Sequence, residues 1–187
     1  MFNTEQFIDD CKSALTESEP QKVLRILVER AVSDPNSIIK ELGEPQEAGL
    51  NTVYQSKGLT IMNLVWGPEM ELHPHDHCMM AVIGIYGGRE DNTFYRRDES
   101  GLKQHGIKTL EAGQVAPLGR DIIHSVKNPL LKLTAALHVY TGDFFNQPRS
   151  EWDFETLTEK PLDIENTRAA FVSSNERLHE LRESGVM

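Results

Sequence analysis

The sequence predicts a mainly β protein, a sandwich or barrel of short strands flanked by helical segments at both ends. Between about residues 50 and 145, short runs rich in Val, Ile, Leu, Thr and aromatic residues are punctuated by Gly, Pro, Asn and Asp. Helical spacing is confined to the two ends of the chain. No strand-like run alternates with a helical pattern, as a βαβ fold requires. The 187 residues read as one domain: a helical segment over 1–48, a β-barrel over 50–145, and a loop and helix over 146–187.

Residues 4–42 read as helical. Phe7, Ile8, Cys11 and Leu15 repeat at helical spacing behind Thr4 as a cap. Cys11 falls within that stripe and reads as a small buried hydrophobe. A second helix runs from Pro20 to Val32, with Pro20 in the first turn and Val23, Leu24, Leu27 and Val28 as its apolar stripe. Asp34-Pro35-Asn36 reads as a turn, and a short third helix covers Ser37 to Leu42.

Leu59 to Trp66 has strand composition and is broken by Gly67-Pro68-Glu69. Met79 to Tyr86, Asn92 to Arg97, Leu102 to Leu110, Ile122 to Val126 and Leu131 to Tyr140 continue the series. The turns between them include Gly87-Gly88, Asp98-Glu99-Ser100-Gly101, Glu111-Ala112-Gly113 and Asn128-Pro129. After Gly142 the chain reads as loop through Pro148, and residues 164–182 as an exposed, charged helix. His105 and His179 read as surface residues.

The formal net charge of −10 argues against a general binder of nucleic acid or of anionic membranes. No apolar run approaches the roughly 18 residues of a membrane span. Met1 to Glu5 lacks the basic and apolar regions of a signal peptide. Two distant cysteines, Cys11 and Cys78, make no disulfide framework, and the chain reads as cytoplasmic.

His73, His75 and His77 stand at alternate positions of Leu72-His73-Pro74-His75-Asp76-His77. In an extended segment all three project to one side, which makes a metal-binding surface. Pro74 gives no backbone donor there, which fits an edge strand or the lip of a loop. Further on, Pro117-Leu118-Gly119 leads into a strand carrying His124, with Asn128 four residues later.

These two segments resemble the paired motifs of the cupins, small jelly-roll barrels built as a double-stranded β-helix. Within the cupins, Trp66-Gly67-Pro68, His75-Asp76-His77, Val82-Ile83-Gly84 and His138-Val139-Tyr140 resemble the thiol dioxygenases, which act on cysteine or 3-mercaptopropionate. The resemblance covers roughly residues 5 to 145. It implies that His75, His77 and His124 hold a metal, ferrous iron in that family; a three-histidine set by itself also suits another divalent metal such as zinc or nickel. It also implies that His138 and Tyr140 stand beside the metal as catalytic residues, and that the substrates are a small thiol and O2. His73-x-His75 also fits generic cupin spacing. The thiol-dioxygenase register, which aligns Trp66, Gly84 and Gly88 together, favours His75-x-His77 and leaves His73 beside the ligands or at the pocket mouth.

The chain departs from the general cupin in one way, which supports an all-histidine site, and from the thiol dioxygenases in three. Cys78-Met79-Met80-Ala81 stands where a general cupin has its glutamate ligand. Ala136 replaces the serine of Ser-x-His-x-Tyr, and Ala81 lies near the place of the cysteine that cross-links to the tyrosine in mammalian enzymes. The arginine that holds a substrate carboxylate has no clear counterpart; Arg89, Arg96 and Arg120 are candidates. A different metal-dependent cupin enzyme and a non-catalytic cupin that binds a small ligand are the alternative readings. No cofactor beyond the metal is expected.

Overall fold

A computed structural model describes residues 1–99 and 101–185. The N-terminal segment forms three helices, α1 (Thr4–Ala14), α2 (Pro20–Val32) and α3 (Pro35–Leu42). Asn3 caps α1 by accepting from the Gln6 N–H at 2.9 Å, one residue before the expected cap. Asp34 caps α3 by accepting from the Ser37 N–H, with Pro35 in the first turn. The stretch expected as a turn is therefore the helix start, where proline's missing N–H costs nothing.

Eleven strands follow: β1 (Gly49–Gln55), β2 (Thr60–Trp66), β3 (Glu71–Asp76), β4 (Ala81–Gly87), β5 (Arg89–Asp98), β6 (Gly101–Glu111), β7 (Val115–Leu118), β8 (Ile123–Lys127), β9 (Thr134–Tyr140), β10 (Ser150–Trp152) and β11 (Glu159–Pro161). Helix α4 (Ile164–Glu183) ends the series. Ser100, in the expected turn between β5 and β6, lies outside the described residues.

All strand pairs are antiparallel and form two sheets, ordered β1-β2-β9-β4-β7 and β11-β10-β3-β8-β5-β6. This is a mainly β fold, two antiparallel sheets in the strand order of a jelly-roll double-stranded β-helix. Strands β2 and β9 are buried along their whole length. Their alternate residues explain why both read as continuous apolar runs. Ile61, Val65, Val82, Ala135, Leu137 and Val139 pack against the N-terminal helices, with Leu24 and Val28 of α2 among them. Met62, Leu64, Ile83, Ile85 and Ala136 join a second core with Leu110, Val126 and Phe171. With both faces covered, neither phase can be polar.

Three parts differ from the sequence expectation. β3 is not an edge strand, because β10 lies outside it through the single pairing Glu151↔His75. Pro74 is accommodated instead by a register shift between Leu72 and His75 in the β3–β8 ladder. The stretch after Gly142 contains two short strands, β10 and β11, whose lengths of 3 residues are too brief for a periodic signal. Helix α4 is not simply exposed: Phe171, Ser174, Leu178 and Leu181 are buried.

Asn128 ties the barrel end together. Its amide donates to the carbonyls of Gly67 at 2.7 Å and Lys132 at 2.8 Å, and its side-chain oxygen accepts from the Leu130 N–H and the Thr134 hydroxyl. The motif asparagine is thus a fold residue, linking the turn after β2 to the β8–β9 connection. His105 and His179 lie on the surface as expected. No helix among the described residues is long and apolar enough to cross a membrane.

Candidate metal centre

Strands β3 and β8 pair so that His75 and His124 oppose each other, and His77 follows directly after β3. The ring nitrogens of these three histidines lie within 4.8 Å of one another. His77 Nε2 is 3.3 Å from His75 Nε2 and 3.4 Å from His124 Nε2. Such contacts between neutral rings are not good hydrogen bonds, since all three nitrogens are turned inward. They do match a metal site: three nitrogens each about 2.1 Å from one ion are separated by roughly 3.0–3.4 Å.

The outer nitrogens fix the required tautomers. His75 Nδ1–H donates to the His73 carbonyl at 2.8 Å, and His124 Nδ1–H to the Asn92 side-chain oxygen at 2.7 Å. Each leaves an Nε2 lone pair facing its neighbours. His77 Nδ1 has no partner among the described residues. Burial lowers the pKa of His75 to about 4 and holds His77 and His124 well below the ordinary histidine value, helped by the other imidazoles. The rings are therefore neutral at pH 7, the state that binds metal. The donor set is three imidazoles with no carboxylate, so the residues fit a divalent transition metal.

His73 stands outside this cluster. The register shift beside Pro74 turns it away, and its ring lies against Phe154 at a centroid distance of 4.2 Å, with Nδ1 3.2 Å from the Trp152 carbonyl. The cluster opens onto a cavity of about 350 Å³ that His73 also lines. The far wall is built by the C-terminal part of the chain, including Glu151, Ile164 and Thr167.

Tyr140 and His138 lie beside the histidine cluster on β9. The Tyr140 ring meets the His77 ring edge-on with centroids 5.1 Å apart. The Tyr140 hydroxyl is 2.9 Å from His138 Nδ1. Burial raises the pKa of Tyr140, which stays protonated, and lowers that of His138 to about 3.

Three residues escaped the sequence reading. Arg149, only 8% exposed, lines the cavity. Its Nη2 donates to the Phe144 carbonyl at 2.8 Å and its guanidinium stacks 4.0 Å over the Phe144 ring, while Nε and Nη1 have no hydrogen-bond partner among the described residues. The charge depresses the pKa values of His75 and His77, so it acts on the cluster directly. The three candidate arginines stand elsewhere: Arg89 pairs with Asp91, and Arg96 and Arg120 line a separate cleft beside Cys78. The local signal for Arg149 was a cation between aromatic pairs, Phe144-Phe145 and Trp152. Asn92 and Glu90 share the inward phase of β5 with Phe94, which stacks on His124. That phase was the available cue.

The chain matches no protein-family model. Among solved structures it is similar to an uncharacterized conserved protein with a double-stranded β-helix domain from Klebsiella pneumoniae, at 14% identity over 58% of this chain and 83% of that one, with a TM-score of 0.46. An RmlC-like cupin family protein from Methanocaldococcus jannaschii matches at 9% identity over 54% and 84%, with a TM-score of 0.45. Oxalate oxidase matches at 16% identity over 46% and 43%, with a TM-score of 0.41. None of these likenesses carries chemistry over to this chain.

Proposed function

We propose that the protein is a metal-dependent oxidoreductase, a mononuclear non-haem iron dioxygenase that oxidises a small anionic thiol to a sulfinic acid, R–SH + O2 → R–SO2H. The observation that carries this reading is the convergence of His75, His77 and His124 on a cavity that Tyr140 and Arg149 also line. Bound ferrous iron would supply open positions where a thiolate and oxygen are brought together.

The chain's own residues then have distinct tasks. Arg149 brings a buried positive charge to the cavity wall, which suits an anionic substrate group. Tyr140 offers one hydroxyl to the reacting atoms, and His138 fixes its rotation. Phe144, Leu64 and Trp66 keep the cavity wall apolar, which strengthens each charged contact.

The test is oxygen uptake by iron-loaded protein with cysteine, 3-mercaptopropionate and cysteamine, with the product identified by mass. Uptake dependent on an added thiol, with both atoms of one O2 appearing in the sulfinate, is the expected result. Stoichiometric metal binding without uptake on any thiol would leave a different metal-dependent cupin enzyme or a ligand-binding cupin.

A further inference from the structure

Glu90 on β5 is fully buried, and neither the fold nor the three-histidine cluster requires a carboxyl there. Its Oε1 accepts from Asn92 Nδ2 at 2.9 Å. Among the described residues its Oε2 has no hydrogen-bond partner, and neither does His138 Nε2. These two orphans are 3.8 Å apart. A buried polar atom left unpaired keeps its full desolvation penalty, so a small side-chain rotation that joins two of them is favoured. The gap is too short to admit a bridging water. Trp66 Nε1, a third orphan, faces the same carboxyl and favours its ionised form.

The contact completes a run of polar groups. It begins at His124 Nδ1, passes through Asn92 to Glu90, crosses to His138 Nε2, and leaves from His138 Nδ1 to the Tyr140 hydroxyl. Ala136, two residues before His138 on β9, brings no hydroxyl to that ring. Glu90 supplies a polar partner from the opposite sheet.

We propose that Glu90 is a positioning residue that sets the tautomer of His138 and, through it, whether the Tyr140 hydroxyl presents a donor or an acceptor to the cavity. The catalytic consequence rests on the function proposed above, while the tautomer does not. With Glu90 ionised, His138 Nε2–H donates to the carboxylate. His138 Nδ1 then accepts the Tyr140 O–H, and the tyrosine oxygen faces the cavity as an acceptor. With one proton added, the Glu90 carboxyl donates to Nε2 and the ring carries its hydrogen on Nδ1. Nδ1–H donates to the tyrosine oxygen, and the Tyr140 O–H turns to the cavity as a donor.

Burial pushes the Glu90 carboxyl up to about 7, against the Asn92 amide and the Trp66 indole, so both states are populated near neutrality. The titratable groups that face it are few among the described residues. His138 on β9 stays neutral, and Asp91 on its own strand raises Glu90 further while pairing with Arg89 and Thr109. Across the β5–β6 ladder stands Leu110, and from β2 comes Trp66; neither titrates.

The test is 15N NMR of the histidine rings in the full chain, metal-free and zinc-loaded, from pH 5.5 to 8.5, with His138 assigned by its loss in His138→Gln. In the wild type the hydrogen should move from Nδ1 to Nε2 as pH rises, in step with the Glu90 carboxyl 13C shift. In Glu90→Gln the amide oxygen stays on Asn92 and the NH2 group faces His138, so the ring should remain Nδ1–H throughout. The proposal is overturned if wild-type His138 keeps one tautomer while Glu90 titrates, or becomes an imidazolium in this range. Through-bond correlation from the ring to the His138 backbone gives the same assignment in the wild type, so the measurement stands even where His138→Gln does not fold. The metal-free spectrum reads the relay even if no metal is ever taken up, so failure of the metal-centre reading stays separate.

Discussion

His75 and His124 stand directly opposite each other in the antiparallel β3–β8 ladder, 49 positions apart in sequence. That pairing selects the register of the histidine stretch. His77 is 2 residues beyond His75 and reaches the same point, while the shift at Pro74 turns His73 toward Phe154. Replacing His75, His77 or His124 with Ala should therefore abolish stoichiometric metal uptake, read by elemental analysis. His73→Ala should leave it near the wild-type value. An empty site in His73→Ala beside a full one in His77→Ala would place the ligands in the other register.

Tyr140 faces Ala81 across the β4–β9 ladder. A cysteine at that place would be positioned for a thioether with the tyrosine ring, and Ala81 has no sulfur to give. The nearby Cys78 is half-buried, three residues earlier and outside the strand. Intact mass should equal the sequence mass after metal and oxygen exposure. A deficit of two hydrogens mapped to a Tyr140–Cys78 peptide pair would contradict this.

Gly84 marks where α2 presses on β4. A Cβ there would collide with Val28 and lie 2.9 Å from Val32 Cγ1, both buried side chains that cannot retreat. Overpacking of this kind costs about 1–3 kcal/mol. Gly84→Ala should lower the melting temperature by roughly 2–10 °C in a thermal scan. An unchanged melting temperature would mean that the helix layer is loosely seated.

The β-rich middle was legible because turn residues separate the apolar runs of β2, β4 and β9, and because helix caps and stripes are local. The grouping of His75 with His124 was not, since it depends on a ladder between distant segments. It came from the resemblance to cupin motifs, and geometry now brings the same residues together. Arg149 was hidden by its setting: a lone arginine in a loop-like stretch has no period. Glu90 looked like an ordinary surface charge until the inward phase of β5 was known. Its side chain is buried because that phase faces the other sheet, where His138 and Trp66 meet it. β10 and β11 exist because tertiary contacts order them, which short local sequence cannot announce.

Arg149 gives a substrate-selective prediction. A hydrogen-bonded charge is worth about 1.5–3 kcal/mol, or roughly 10- to 150-fold in binding. Arg149→Ala should raise KM by that factor for 3-mercaptopropionate and cysteine. It should barely change KM for cysteamine, which has no carboxylate. Equal losses on all three thiols, with reduced metal content, would show instead that Arg149 acts by holding the Phe144 loop.

Half-buried His75 and the buried His77, His124 and His138 set how the metal-free protein responds to acid. His75 and His138 have pKa values lowered to about 4 and about 3 by burial, and His77 and His124 are also held well down. Unfolded, each titrates near 6.5. Below that value the unfolded chain binds protons that the folded protein refuses, so stability present above pH 6.5 is lost as pH falls toward the folded values. Each ring contributes up to about 1.4 kcal/mol per pH unit. Glu90 works in the opposite sense: with its pKa raised to about 7, it adds stability as pH falls from 7 toward 4.5. Four rings against one carboxyl leave a net loss. The urea midpoint of the metal-free protein should therefore drop steadily between pH 7 and pH 5. Saturating zinc should raise the midpoint at every pH, because the metal binds only the folded, neutral cluster. A midpoint that is flat across this range would mean that the rings are hydrated enough to protonate in the folded state.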